Sequence, residues 1–332
     1  MNKETVASRN LAMDAVRVTE ATALATSRFL GRGDEQAADQ AAVNAMHSAL
    51  KGMAIQGVIR IGEGTREDAE KLFSGEPSGT GDGPVVDLAL MPLEGPTIVA
   101  KGEPNGLSVI AIAEAGQFAD LPPIYMDKIA VGGGLPDGVV SLDDEPGKNL
   151  RDLAAAKGVD VGDLVACILD RPRHRELIAK TREAGARILL IGDGDLSGVV
   201  STAWPETGID IYMGSGGARE GILSAAALAC VGGQMQGRLM FRNDDERHKA
   251  ASYGIEDFNR VYSVSDMASG EVTFAATGVT PGAMLMGVKR RHGAAMTHSL
   301  VMRSLTGTLH FIEAYHDFAN WSGATSRRRP KA

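Results

Sequence analysis

Residues 164–217 read LVACILDRPRHRELIAKTREAGARILLIGDGDLSGVVSTAWPETGIDIYMGSGG, and the alternation within this stretch decides the fold class. The apolar runs LVACILD (164–170), ARILLIG (186–192) and GIDIYMGSGG (208–217) read as strands. A helical pattern fills 173–184, a second starts near Leu196, and a third occupies 219–231. Strands alternating with helices are the grammar of an α/β protein with parallel strands. Glycine and acidic residues cluster just after the apolar runs, at the strand ends where open α/β sheets bind ligands.

Outward from that stretch the pattern is looser. Helical spacing over 11–30 stops at Gly31-Arg32-Gly33, and Asp34 is placed to cap a second helix through about 53. Arg32-Gly33-Asp34 therefore reads as a helix stop and a helix cap rather than an adhesion motif. Strands are expected over 57–62, 85–92 and 106–115, and strand-like segments at 271–279 and 307–315. After a Gly/Pro/Asp-rich stretch at 132–147, a division falls somewhere in 145–165. It separates an N-terminal α+β half (1–160) from a C-terminal α/β half (161–332), expected to form one continuous unit with a solvated basic tail at 325–332. No internal repeat is visible.

Composition excludes several classes. The 332 residues are 44% hydrophobic and 23% charged, as in an ordinary globular protein, with aromatics at only 5%. Forty-one glycines point to tight turns and close backbone approaches. A formal charge of −8 argues against a nucleic-acid partner, whose phosphates need a basic face. Cys167 and Cys230 each sit in an apolar run and read as reduced core residues. The start lacks an apolar signal core, and no run of about 18 apolar residues occurs, so a cytoplasmic protein with no membrane partner is expected. An acidic chain that handles phosphates must gather positive charge locally or take it from metal ions.

Four carboxylates stand at element ends: Asp39, Glu63 after a strand, Glu94 after a strand, and Glu220 just past Gly214-Ser215-Gly216-Gly217. Carboxylate oxygens are hard ligands suited to Mg²⁺ or Mn²⁺, and two such ions can clamp a phosphoryl group and activate water. Taken singly, each is also an ordinary helix or turn residue. Gly192-Asp193-Gly194-Asp195 can bind sugar hydroxyls or a metal, or is a turn with Asp195 as N-cap. Arg171 and Arg173 on one extended segment make a phosphate clamp, or a helix entry around Pro172. Gly214–Gly217 can present backbone amides to an anion, although the lysine and hydroxyl of a P-loop are missing. None of the seven histidines has HExxH spacing and there is no cysteine pair, which disfavours zinc.

Along nearly the whole chain stand, in order, LGRGDEQAADQAAVNAM, RIGEGTRED, PLEG, Tyr125-Met126-Asp127-Lys128-Ile129, LDRPRH, GDGD, GSGGAREG and FAATGVT. Together they resemble the class II fructose-1,6-bisphosphatases, of the lithium-sensitive, inositol-monophosphatase-like phosphatase superfamily. The resemblance implies a layered α-β-α-β-α sandwich and release of the 1-phosphate of fructose 1,6-bisphosphate with Mn²⁺ or Mg²⁺, in gluconeogenesis. Sedoheptulose 1,7-bisphosphate is a further substrate in some relatives, and a homo-oligomer, dimer or tetramer, is implied. By position Asp39 and Glu63 would hold one metal, Glu94 and Glu220 the other, with Glu67 handling the water and Glu220 also catalytic. Glu94, Gly95, Tyr125, Arg171, Arg173, Asp193, Asp195 and Gly217 would line the sugar-bisphosphate pocket.

The departures from the family pattern matter too. Where the family has Asp-Pro-(Leu/Ile)-Glu-Gly-Thr, this chain has Met91 and Pro96 in place of the acid and the hydroxyl. A thioether is a poor ligand for Mg²⁺, and proline has neither hydroxyl nor N–H. Removing such groups costs a rate factor on the order of 10²–10⁴ each. Thr97 offers a hydroxyl if the loop shifts by one residue. Glu35 replaces a usual Lys, Glu67 a usual Asp, and Arg219 a usual Pro. A second reading is therefore a diverged sugar-phosphate-binding protein with impaired catalysis. A third, in which Asp193-Gly-Asp195-Leu-Ser is a haloacid-dehalogenase nucleophile motif, is disfavoured because that motif normally opens its domain.

Overall fold

The computed structural model describes residues 10–318, so the basic tail at 325–332 lies outside the described residues. The chain opens with α1 (Ala12–Thr26) and α2 (Glu35–Leu50). Then come β1 (Gln56–Ile61), β2 (Pro77–Ser78), β3 (Val85–Glu94), the short α3 (Pro96–Lys101) and β4 (Leu107–Glu114). The middle runs β5 (Tyr125–Val131), α4 (Pro146–Lys157), β6 (Val165–Leu169), α5 (Arg175–Glu183), β7 (Arg187–Ile191), α6 (Asp195–Ser201), β8 (Ile211–Gly217) and α7 (Ala218–Val231). The rest is β9 (Gln234–Met240), α8 (Asp244–Ser252), β10 (Val261–Ser263), α9 (Val264–Met267), β11 (Val272–Gly278), β12 (Lys289–Arg291), β13 (Ala294–Arg303) and β14 (Thr308–Asp317).

Two mixed sheets result. One has the order β12-β13-β11-β4-β3-β1-β2, with β14 on β13; the other is β10-β9-β5-β8-β6-β7. As the opening stretch predicts, β6 runs parallel to both β7 and β8. The remainder of that sheet is antiparallel, because β5 pairs β8 on one side and β9 on the other. Sequence halves and sheets do not coincide: β5 belongs to the second sheet, and β11 to β14 complete the first.

The strands are apolar throughout because both faces are covered. On β4, Val109, Ala111 and Ala113 join the central core, while Ile110 and Ile112 face the α1–α2 layer. On β6, Cys167 and Leu169 face the centre, and Ala166 and Ile168 meet Leu150 and Leu153 of α4 and Ile178 of α5. Between the sheets lie α6 and α7, which contribute Leu196, Val200, Ile222 and Leu223 to the central core. A helix clad by sheets on both sides has no wet face, which is why α7 is apolar almost all round. The architecture is the expected α-β-α-β-α sandwich.

Several local expectations hold. Asp34 caps α2 by accepting from the Ala37 amide at 2.9 Å. Cys167 and Cys230 are buried free thiols, each pushed up to about 12 by burial first of all. Others shift. Strand β3 runs on to Glu94 rather than stopping at 92, with a register irregularity between Met91 and Glu94. Asp195 is not the N-cap: left-handed Gly194 takes that place, and the Asp195 side chain turns to an ion pair. Helix α4 starts inside the Gly/Pro/Asp-rich stretch, with Pro146 at its first turn. No described helix is long and apolar enough to cross a membrane.

Candidate active site

A cleft of about 440 Å³ opens where β1, β3 and β8 end and where α6 and α7 begin. Each sequence-chosen carboxylate of the four reaches it by a different route. Asp39 comes from α2, Glu63 follows β1, Glu94 ends β3, and Glu220 sits in the first turn of α7. Asp193, Asp195, Gly95, Tyr125 and Gly217 also line it.

Glu94 is buried, and one of its oxygens is fully engaged. Its Oε1 accepts from the Leu196 amide at 2.7 Å and the Ser197 amide at 3.3 Å. Its Oε2 is buried with no hydrogen-bond partner. The GSGG segment is the end of β8 rather than a turn, and close carboxylate approach requires its last two glycines. A Cβ on Gly217 would lie 2.0 Å from Glu220 Oε2, and one on Gly216 would lie 2.1 Å from Asp195 Oδ2. The strand end thus accommodates this chain's own acids. Beneath them Lys128 of β5 is fully buried; its Nζ ion-pairs with Asp195 and donates to the Gly217 carbonyl at 2.8 Å.

Crowded, desolvated acids resist ionising. Burial, then the charge of Asp195, raises Glu94 well above the usual range, against the helix amides. Glu220 is raised by burial and by Asp195, with Lys128 opposing. Glu63 is raised to about 7 by burial and then by Asp39, with Arg219 opposing. Asp39 is raised by burial. The hard oxygen donors and the orphaned Glu94 Oε2 fit a divalent cation. The fit is partial: the Met91 thioether occupies the wall, and no three potential ligands are gathered ready to hold a metal among the described residues.

The cationic end is built differently from the sequence expectation. The Tyr125 ring lies between two guanidinium groups, Arg173 at 5.1 Å and Arg242 at 5.0 Å from its centroid. Arg173 is held by Ser215, through Nε to Oγ at 3.0 Å and through a terminal nitrogen to the carbonyl at 2.7 Å. Neither Arg171 nor Arg173 lines the cleft: Arg171 faces Asp193 at 3.9 Å, and Arg173 lines a separate cavity next to Tyr125. Arg242 does line the cleft, steered by Glu246. Sequence reasoning missed it, because a lone arginine after β9 carries no motif. Lys128 stood in the Tyr125–Ile129 motif without a role, because the strand that buries it was not read.

Other chosen residues fall outside. Glu67 is exposed on the turn after Glu63, and Glu35 is exposed in the first turn of α2. Pro96 lines the cleft and Thr97 does not. His174, adjacent to the arginines, is buried; it donates from Nδ1 to the Leu169 carbonyl and accepts from the Ser215 amide at Nε2. That pairing fixes a neutral ring, consistent with burial lowering its pKa.

A layered α/β scaffold that converges buried carboxylates on a cleft with a guanidinium-flanked end defines a hydrolase of phosphate esters. The chain belongs to the family described as bacterial fructose-1,6-bisphosphatase, glpX-encoded, whose model matches residues 9–316. It is 40% identical over 322 residues to fructose-1,6-bisphosphatase 1 class 2 of Escherichia coli K12, covering 93% of this chain and 95% of the relative. The same identity and coverage hold for the fructose-1,6-bisphosphatase class 2 proteins of Escherichia coli O6:H1 and Shigella flexneri.

Proposed function

We propose that this chain hydrolyses the 1-phosphate of fructose 1,6-bisphosphate in gluconeogenesis, using Mn²⁺ or Mg²⁺. The observation that carries the reading is the convergence of Asp39, Glu63, Glu94 and Glu220 on one cleft, with Glu94 Oε2 left unpartnered. Tyr125, Arg173 and Arg242 receive the non-reacting phosphate, guanidinium groups being suited to phosphate oxygens. Asp193 and Asp195 take sugar hydroxyls, and Gly95 and Gly217 let the sugar approach the backbone. Glu94 and Glu220 would hold one cation, and Asp39 and Glu63 a second. When bound, the divalent ion neutralises the reacting phosphate and lowers the pKa of water. Glu220 is the catalytic carboxylate; a part for Glu67 at the water requires the turn at 64–70 to fold over the cleft, and one for Arg171 requires it to leave Asp193.

The same reading extends to sedoheptulose 1,7-bisphosphate as a second substrate and to the inositol-monophosphatase-like superfamily as the wider kinship. It takes the halves 1–160 and 161–332 as one catalytic unit, since both contribute to the cleft. A cytoplasmic homo-oligomer, dimer or tetramer, with no nucleic-acid or membrane partner, completes it.

A second reading, a sugar-phosphate-binding protein with impaired catalysis, draws on Met91 and Pro96 lining the cleft. Phosphate release from fructose 1,6-bisphosphate with Mn²⁺ and with Mg²⁺ separates the two. Met91→Asp and Pro96→Thr are each expected to raise the rate, by up to about 10²-fold. Turnover that neither reversion raises removes any handicap from this loop. Binding without turnover in all forms supports the binding protein, and absence of both sinks the substrate.

A further inference from the structure

Arg219 occupies an unexpected place. It lies in the first turn of α7, where the helix dipole favours acids and disfavours a cation. Arg219 lines the same cleft as Glu63, Met91 and Glu220, and one terminal nitrogen of its guanidinium donates to the Gly62 carbonyl. Its one hydrogen bond among the described residues is to that carbonyl, while its charge acts at longer range on Glu63, Glu220 and Asp68. An arginine has five N–H donors, and most of those on Arg219 are uncommitted beside an open cleft. A cation at a helix N-terminus, tied by one bond to backbone and acting on Glu63 and Glu220 only through its field, keeps donors for an anionic ligand. The neutral Met91 thioether shares its cleft and offers no charge of either sign.

We propose that Arg219 is a catalytic residue that contacts the reacting phosphate from the Gly62–Glu63 wall. It adds positive charge from within the chain to that of the bound cations. The inference rests on the phosphatase reading above. The Gly62 bond ties one terminal nitrogen, which leaves the other donors of the fork for phosphate oxygens. Charge that develops on those oxygens during transfer meets a cation already in position, which lowers the barrier more than it tightens binding.

Inorganic phosphate is the probe, titrated calorimetrically into the purified chain in chelator and then with Mn²⁺. The unmodified chain is expected to bind phosphate in chelator. Arg219→Gln is expected to weaken that binding by about tenfold and to lower kcat on fructose 1,6-bisphosphate by roughly 10²-fold with a smaller change in KM. Arg219→Lys should recover part of the loss, and added guanidinium ion should partly restore Arg219→Ala. Unchanged phosphate binding and unchanged kcat in Arg219→Gln overturn the proposal. So does a loss accompanied by a lowered Tm that neither lysine nor guanidinium rescues, which would make Arg219 only a pin for Gly62. Should the unmodified chain release no phosphate from the sugar, the phosphatase reading fails separately, and the phosphate titration still decides Arg219.

Discussion

Lys128 and Asp195 hold each other in place at the floor of the cleft. Lys128 is 0% exposed and Asp195 7% exposed, and Asp195 also faces the fields of Glu94 and Glu220. Burying one ammonium is worthwhile only because an acid and the Gly217 carbonyl receive it. Breaking such a pair from one side leaves an uncompensated buried charge, which costs about 3–5 kcal/mol. Lys128→Met is therefore expected to lower unfolding stability by about that amount in urea titrations. Adding Asp195→Asn should return a large part of it, because the stranded charge is gone. A Lys128→Met protein as stable as the original would show that the ion pair contributes nothing to the fold. The same logic makes Gly216 and Gly217 irreplaceable neighbours, since any side chain there displaces an acid of the cleft.

Helix α2 shows how an element delivers a functional side chain. Its N-cap Asp34 satisfies the Ala37 amide, and Asp39 follows a little over one turn later, on the edge between the buried Ala38 and Ala42 and solvent. The buried stripe Ala38, Ala42, Met46 and Leu50 seats the helix, so the cap sets where along the sheet Asp39 points. Asp34→Ala should cost about 1 kcal/mol of stability, read as a lower Tm, with the far-UV spectrum otherwise kept. If stability is unchanged, water replaces the cap at no cost. Strand β3 works in the same manner: its irregular register between Met91 and Glu94 turns Glu94 inward to the α6 amides.

The whole molecule stores unfavourable electrostatics in its cleft. Glu63 is raised from its ordinary 4.5 to about 7, so between those values the folded chain binds more protons than the unfolded chain. Stability of the metal-free protein must then fall as pH rises through that window. Asp39, Glu94 and Glu220 shift in the same direction. In chelator, Tm is expected to decline from about pH 5 to pH 8 beyond what the rest of the surface contributes. Saturating Mn²⁺ should flatten or reverse the decline, because a cation that binds the folded form alone stabilises it. A Tm that climbs over this window in chelator would mean that the cleft acids are already compensated within the fold.

Local sequence was enough for the α/β grammar, the cap at Asp34, the buried cysteines and the acids that follow or end β1, β3 and β8, whereas Asp39 lies within α2 and not at an element end. Those are local properties: an apolar period, a capping side chain and an acid after a strand are all written within about ten residues of one another. Strands β5 and β9 and helix α4 were not legible, since a lysine and an aspartate interrupt β5, glutamines mark β9, and α4 begins in a turn-rich stretch. Only the tertiary structure decided that Lys128 lies beneath Asp195 and that Arg242 rather than Arg171 flanks Tyr125 in the cleft. It also brought Arg219 to Gly62, across 157 residues of chain. Those pairings depend on which strand ends meet around α7. Side-chain chemistry can announce a ligand or a charge, but contacts between distant segments exist only once two sheets close on the helix between them.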